Sequence, residues 1–311
     1  MAKFGAVLVV TSFLFPAMPR EVGNPKGNKQ DVHVQMRRVT YHYTDQVSVY
    51  IDRLSGEIVP IDKHEFPIFD DKRSFKLRIT AAQITISAAS LANVLNSYVF
   101  ARSDSPLKNI SISIENGALI IKGKLHSKGD IAFEVTGKLS PTSDGRIRLS
   151  GEKIRALHLP MKGLMDIFGV GIADLIKNRK VPGVEAEKDD VILDLAQILP
   201  PPHIEGLVTG INLVGNNIVQ NFGRVEASLP ERVPAANYMA YRGNRLQFGK
   251  LLMYDADMIL IDMDPNDPFD FFLDHYREQL SAGYTKITAQ FGLRVFMRDY
   301  NKLHEHSSPH K

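Results

Sequence analysis

From Ile110 to Leu149 apolar and polar residues alternate almost without a break, and that pattern excludes most folds at once. Ile110, Ile112 and Ile114 alternate with Ser111, Ser113 and Glu115. Asn116-Gly117 follows, a pair suited to the left-handed backbone of a two-residue hairpin turn. Leu119, Ile121 and Leu125 then alternate with Lys122 and Lys124, and Ile131, Phe133, Val135 and Leu139 with Glu134, Thr136 and Lys138. Asp144-Gly145 predicts a further turn before Ile147 and Leu149, which are flanked by Arg146 and Arg148. Successive strand residues point to opposite faces, so these segments read as strands with one dry and one wet face. Short turns between them make the sheet antiparallel. Near Lys153 the parity slips, since Ile154 and Leu157 both belong on the apolar face, and a bulge or bend is needed there.

Helical signals are few. Ser87–Tyr98 places Leu91, Val94, Leu95 and Tyr98 on one stripe behind an N-cap serine. Pro160 is suited to the start of an irregular helix over 161–176, interrupted by Gly163, Gly169 and Gly171. Asp194 and Gln197 read as a capping pair for a short helix that stops at Pro200-Pro201-Pro202. Pro268–Leu280 predicts another helix, with Phe271, Phe272 and Tyr276 to bury. A weak duplication is visible: strand 84–87, a helix and hairpin 110–125 recur as strand 191–194, a helix and hairpin 208–222, the second turning at Asn216-Asn217. The fold class expected is α+β, a curved and mostly antiparallel sheet with a C-terminal α+β extension.

With 311 residues, 44% of them hydrophobic, the chain can bury a large core. A net charge of +3 is too small to mark a nucleic-acid binder, and the absence of cysteine removes disulfides, thiolate nucleophiles and cysteine metal sites. Lys3 followed by the apolar run Phe4–Phe15 has the order and length of a secretory signal, which predicts export to the periplasm or envelope. The expected layout is a signal or anchor over 1–19, a polar linker over 20–31 and a β-rich domain over 32–223. An extension over 224–300 and a disordered tail over 301–311 complete it.

ITISAASLANVLN (84–96), NISISIENGALIIKGKL (109–125), IAFEVTGKL (131–139), RIRLSGEKI (146–154), LPMKGLMDIF (159–168) and the last hairpin give residues 84–223 a resemblance to a known family. They resemble the bacterial DUF2993 family, which includes LmeA-type phospholipid-binding proteins and is itself similar to the TULIP lipid-binding fold. The resemblance implies a curved, half-barrel-like sheet wrapped on a long amphipathic helix, with an apolar groove for acyl chains. It covers under half of the chain, and residues from Arg224 onward match no family pattern.

On this reading Leu91, Leu95, Phe133, Leu164 and Phe168 line the apolar space, and the ligand is a lipid or other apolar small molecule. In 160–180, Met165 and Ile167 with Lys177, Arg179 and Lys180 could make transient contact with a membrane surface, the cations facing anionic headgroups. The same stretch also reads as a core-packed helix whose terminal cations complement its dipole. Asp255 and Asp257 fall on one strand face, opposite Tyr254, Ala256, Met258 and Leu260. That carboxylate pair is the only support for an exported hydrolase, and a solvated strand face accounts for it as well.

Asp262, Asp264, Asn266, Asp267 and Asp270 have the oxygen-rich spacing of a calcium loop. They depart from an EF-hand at the turn, where Asp267-Pro268 stands, and at position twelve, which is Leu273. An acidic turn capping a helix explains them without metal, so no metal site and no cofactor is assigned. The tail residues His304, His306 and His310 have no fixed geometry, and His158, His203 and His275 are isolated. No nucleophile elbow, zinc-protease or phosphate-loop motif is present, and the reading is a non-catalytic protein. The alternative is an envelope interaction module with a filled core.

Overall fold

The computed structural model describes residues 32–61, 65–126, 130–156, 181–187, 190–223, 233 and 235–303. In chain order the first strands are β1 (Val32–Thr44), β2 (Val47–Pro60), β3 (Phe75–Ser87), β4 (Leu107–Glu115), β5 (Ala118–His126), β6 (Asp130–Pro141) and β7 (Ile147–Ala156). They are followed by β8 (Val184–Glu187), β9 (Asp190–Leu193), β10 (His203–Glu205), β11 (Val208–Val214) and β12 (Asn217–Gly223). The last are β13 (Tyr238–Phe248), β14 (Leu251–Asp262), β15 (Phe269–Phe272), β16 (Tyr284–Ile287) and β17 (Leu293–Met297). Helices are short: α1 (Ala88–Val94), continued by a π turn over Leu95–Val99, α2 (Leu195–Ile198) and α3 (Tyr276–Ser281).

The strands form two mostly antiparallel sheets, and neither closes into a barrel. The larger runs β11-β12-β3-β2-β1-β13-β14-β17-β16, with β10 added beside β3 and β15 beside β1. The smaller runs β4-β5-β6-β7-β9-β8. The strands after Arg224 therefore extend the sheet that contains β1, since β13 and β15 both pair with it. A long amphipathic helix is not among the described elements.

Alternation holds where the sequence shows it, and the turns explain why. Asn116 and Gly117 both have positive φ, 51° and 75°, as a tight hairpin between twisted strands requires. The second hairpin turns one residue earlier than expected, at Gly215-Asn216, where Gly215 supplies φ 56°. The β6–β7 register shifts between Thr136 and Gly137, opposite Gly151–Lys153, which is the bulge that the parity slip demands. In β1, Val32, Val34 and Met36 are buried, and so are Val39, Tyr41 and Tyr43. A strict two-residue repeat would turn one of these sets outward, and Arg38, at φ 50°, absorbs the extra step.

Each copy of the internal duplication carries the chain from one sheet to the other. β3 belongs to the large sheet, α1 follows, and β4–β5 belong to the small one; β9 belongs to the small sheet, α2 follows, and β11–β12 belong to the large one. Both helices are capped as their sequences predict. Ser87 Oγ accepts from Ser90 N (3.0 Å), Asp194 Oδ1 accepts from Ala196 N (3.0 Å), and Gln197 Nε2 donates to Asp194 Oδ2 (2.7 Å).

Three expectations are corrected. The apolar stripe on the first helix does not reach Tyr98, which is 42% exposed, because the π turn inserts an extra residue and rotates Val99 inward instead. Pro268–Leu280 is not one helix: Phe269–Phe272 is strand β15, running parallel to Val39–His42, and only Tyr276–Ser281 is α-helical. Phe269 and Phe271 are fully buried there, and Phe271 packs on Tyr41 and Phe69, so tertiary packing overrides the local helical pattern. Tyr254 is 70% exposed and does not share the buried side of Ala256, Met258 and Leu260, because Asp255 at φ 55° breaks the pleat. The predicted helix over 161–176 lies outside the described residues.

The π turn gives a direct test by denaturant unfolding. Val99→Ala should cost about 1.5–3 kcal/mol, the value of a buried side chain, and Tyr98→Ala should stay within about 0.5 kcal/mol, as an exposed position does. Equal losses at the two positions would show that the helix continues in regular α register.

Candidate functional site

Among the described residues, the apolar faces of the two sheets and α1 line three cavities that share walls. The largest, about 80 Å³, lies against the small sheet and is lined by Leu91 and Leu95 of the helical segment and by Phe133, Val135 and Leu149 of the strands. The second, about 40 Å³, sits where the sheets meet and shares Leu91, Leu139 and Leu193 with the first. The third, about 30 Å³, lies against the large sheet and shares Tyr43, Val49, Ile84 and Ile204 with the second. The walls are almost wholly hydrocarbon. Burial pushes the Tyr43 and Tyr241 phenols far above their usual range, so those rings are uncharged.

Local sequence explains the shape of the largest chamber. Gly123 pairs across the sheet with Phe133, and a Cβ at Gly123 would approach the Phe133 ring to 3.0 Å. The missing side chain lets the ring lie over the neighbouring strand. α1 is pinned to both sheets. Asn93 Nδ2 donates to Gln46 O in the β1–β2 turn (2.8 Å), while Asn96 accepts from Ile110 N (2.8 Å) and donates to Ile110 O (2.7 Å) in β4.

Three of the expected lining residues, Leu91, Leu95 and Phe133, therefore face one chamber. Leu164 and Phe168, and the membrane-contact set Met165, Ile167, Lys177, Arg179 and Lys180, lie outside the described residues. The two chambers that reach the large sheet are additional to the expected lining. Tyr41 and Tyr43 alternate inward along β1 and were the available signal for them. No helix among the described residues is long and apolar enough to cross a membrane.

The polar candidates lie elsewhere. Asp257 pairs with Arg294 (2.9 Å) and Arg242 (3.3 Å), and these two guanidiniums hold its carboxyl below the usual range against the opposing effect of burial. It is a structural ion-pair centre on the sheet. Sequence reading passed over His42, whose Nε2 lies 2.6 Å from Asp270 Oδ1. The carboxylate orients the ring as in a general-base dyad, and among the described residues the buried Nδ1 has no hydrogen-bond partner.

The acidic loop 262–267 folds onto the C-terminal segment. One carboxylate oxygen each from Asp262, Asp267 and Asp299 falls within 4.8 Å of the others, and among the described residues these are spaced as metal ligands could be, although Lys302 already lies against two of them. Lys302 Nζ reaches Asp264, Asp267 and Asp299 at 2.9, 2.8 and 3.0 Å. Burial raises Asp262 to about 6, whereas hydrogen bonds from Lys302 and Asn266 lower Asp264 to about 2.

No family model, no curated protein and no solved structure matches the chain. The resemblance of residues 84–223 therefore rests on their residue patterns.

The Asp262 shift predicts a pH dependence of stability. A carboxyl whose pKa rises from 3.8 unfolded to about 6 folded binds its proton more tightly in the native state. Its contribution is complete below pH 3.8 and is lost as pH rises to about 6. In chelator-containing buffer, unfolding free energy measured across that window should fall less steeply for Asp262→Asn than for the parent chain. Identical slopes would mean that Asp262 titrates normally.

Proposed function

We propose that this protein binds a lipid or another linear apolar molecule between its two sheets, and that it does so as a non-catalytic component of the cell envelope, with lipid carriage as the extension of that role. The observation that carries the reading is the set of three apolar chambers with shared walls. A protein interior is normally close-packed. Adjacent voids with shared, mostly hydrocarbon walls suit a flexible apolar chain that passes from one to the next.

The fold that goes with this role is a TULIP-like arrangement in which curved sheet wraps a helix, with the segment 88–99 in the helix's place. The pattern resemblance of residues 84–223 to the LmeA-type family supports both parts, as does the signal-like sequence at the N-terminus. The chambers total far less than the ~300–1,000 Å³ of a drug-sized pocket. A guest longer than a short alkyl segment must therefore displace Leu91, Leu139 or Leu193, the side chains shared by the first two chambers. Leucine rotamers and a short helix held by a few hydrogen bonds are the movable parts.

The same small volumes favour a second reading, an interaction module with a filled core. Organic extraction of the purified chain and titration with a fluorescent fatty acid separate the two. On the carrier reading lipid copurifies and the probe binds. Gly151→Leu should then weaken probe binding at least tenfold while leaving stability near that of the parent. Gly151 lines the largest of the three chambers, and among the described residues an added Cβ would meet Val135 Cγ1, at 3.8 Å. Protein that is lipid-free and indifferent to the probe leaves the interaction module.

A further inference from the structure

The wet face of the large sheet carries arginines where its alternation breaks. In β1, Arg37 and Arg38 stand between the buried Met36 and Val39; in β2, Asp52 and Arg53 stand between the buried Ile51 and Leu54. Strict alternation allows a single outward residue between two inward ones. Arg37 pairs with Arg53 and Val39 with Ile51, so the extra residues of the two strands, Arg38 and Asp52, fall at the same level. Met36, Ile51 and Leu54 line an apolar chamber, and the charged side chains face the other way. Arg38 takes φ 50° to keep this arrangement, a left-handed backbone that is costly for a residue with a Cβ.

Little answers the positive charge. Residues directly opposite on an antiparallel pair have Cβ atoms ~4.5–5.5 Å apart, and like charges placed so repel. Among the described residues no carboxylate forms an ion pair with Arg37 or Arg53. Arg53 is half-buried, and its Nε is buried with no hydrogen-bond partner. A guanidinium taken partly out of water attracts an anion more strongly than a fully solvated one. Arg38 Nη2 donates to Asn266 O (3.3 Å), and the Tyr50 hydroxyl faces both Arg38 and Asp52. Asp264 and Asp267, in the loop of Asn266, are engaged by Lys302. Tyr238 stands across from Arg37 on β13, and Gln83 across from Arg53 on β3, so the flanking positions add no charge of either sign.

We propose that Arg37 and Arg53, with Arg38 beside them, bind a terminal phosphate group on the wet face of the large sheet, either inorganic phosphate or the phosphate monoester of a lipid headgroup. A planar carboxylate is satisfied by the fork of one guanidinium. Adjacent guanidiniums call for an anion with more oxygens and more charge, and phosphate supplies both. Three guanidiniums against the Asp52 carboxylate leave an excess of two positive charges, which a phosphate dianion balances. Arg53 is the fixed half of the site, held in the sheet surface, and the exposed Arg37 closes on the anion from outside. Arg38, tethered to Asn266, adds its field and fixes the bulge. Bound phosphate also removes the repulsion across the β1–β2 pair. The inference is independent of the apolar chambers, which lie behind the opposite face.

The test uses the full chain in phosphate-free chloride buffer. Inorganic phosphate should raise the thermal midpoint saturably by at least about 3 °C. Sodium chloride at equal ionic strength, which only screens the arginines, should not. Arg37→Gln and Arg53→Gln should each lose at least tenfold in phosphate affinity, and Arg37→Lys, which keeps the charge without the fork, should recover only part of it. Should Arg53→Gln fail to fold, the exposed Arg37 still carries the test. In chloride alone the midpoint of Arg37→Gln should equal or exceed that of the parent, because one of two opposed like charges is gone. Cosedimentation with phosphatidylcholine vesicles containing phosphatidic acid separates the sources. Binding to these vesicles without any response to inorganic phosphate assigns the site to a headgroup, and a response to inorganic phosphate assigns it to the anion wherever it is carried. Silence towards both probes overturns the proposal. So does an equal effect of chloride, a response to either probe that survives Arg37→Gln unchanged, or a lower midpoint for Arg37→Gln in chloride, which would mean that Arg37 is already neutralised.

Discussion

Two open sheets, each with one dry face, have to cover each other, and the organisation of the molecule follows from that requirement. A one-sided sheet alone leaves its apolar face in water, at roughly 25 cal/mol for every Å² exposed. Here the solution is reciprocal exchange: each strand–helix–hairpin unit begins in one sheet and ends in the other. The sheets are thus linked by chain as well as by contact. α1 lies in the seam, and Asn93 and Asn96 fasten it to opposite sides. A seam spanned by so short a helix is not filled by the described residues, and the chambers with shared walls lie in it.

A polar network sits on the strands at the middle of the large sheet and on the segments beside them. His42, Asp270, Asp299, Lys302, Asp267, Asp262 and Asn237 form a connected series of hydrogen bonds and ion pairs where β1, β13, β14 and β15 come together. Low local polarity makes each satisfied contact stronger and each orphan more costly. The apolar interior and this charged corner use separate residues, so one can change without the other.

Legibility followed the range of the interaction responsible. The Asn116-Gly117 turn, the Ser87 and Asp194 caps and the alternation of β4–β7 depend on neighbours a few residues away, and all were readable. The fate of Tyr98 was not, because the helical stripe assumes a regular α pitch and a single π turn changes the phase. Phe269–Phe272 read as helix because Phe271, Phe272 and Tyr276 have helical spacing. They form a strand because β1 offers a free edge at Val39–His42 and an aromatic bed in Tyr41 and Phe69. The lining was readable at Leu91, Leu95 and Phe133, whose periodicity points inward. His42 and Asp270 lie 228 residues apart, and no local pattern announces their meeting.

By itself the sequence determined that this chain is built of one-sided antiparallel strands, where several of them turn, and which residues of β4 and β5 are dry. Backbone handedness and the two-residue repeat are local properties. Only the tertiary structure decided that the strands divide between two sheets, that the C-terminal third completes the first of them, and that the dry faces meet with space between them. Those outcomes depend on pairings between residues far apart and on curvature accumulated over whole strands, and a repeat of two residues carries neither.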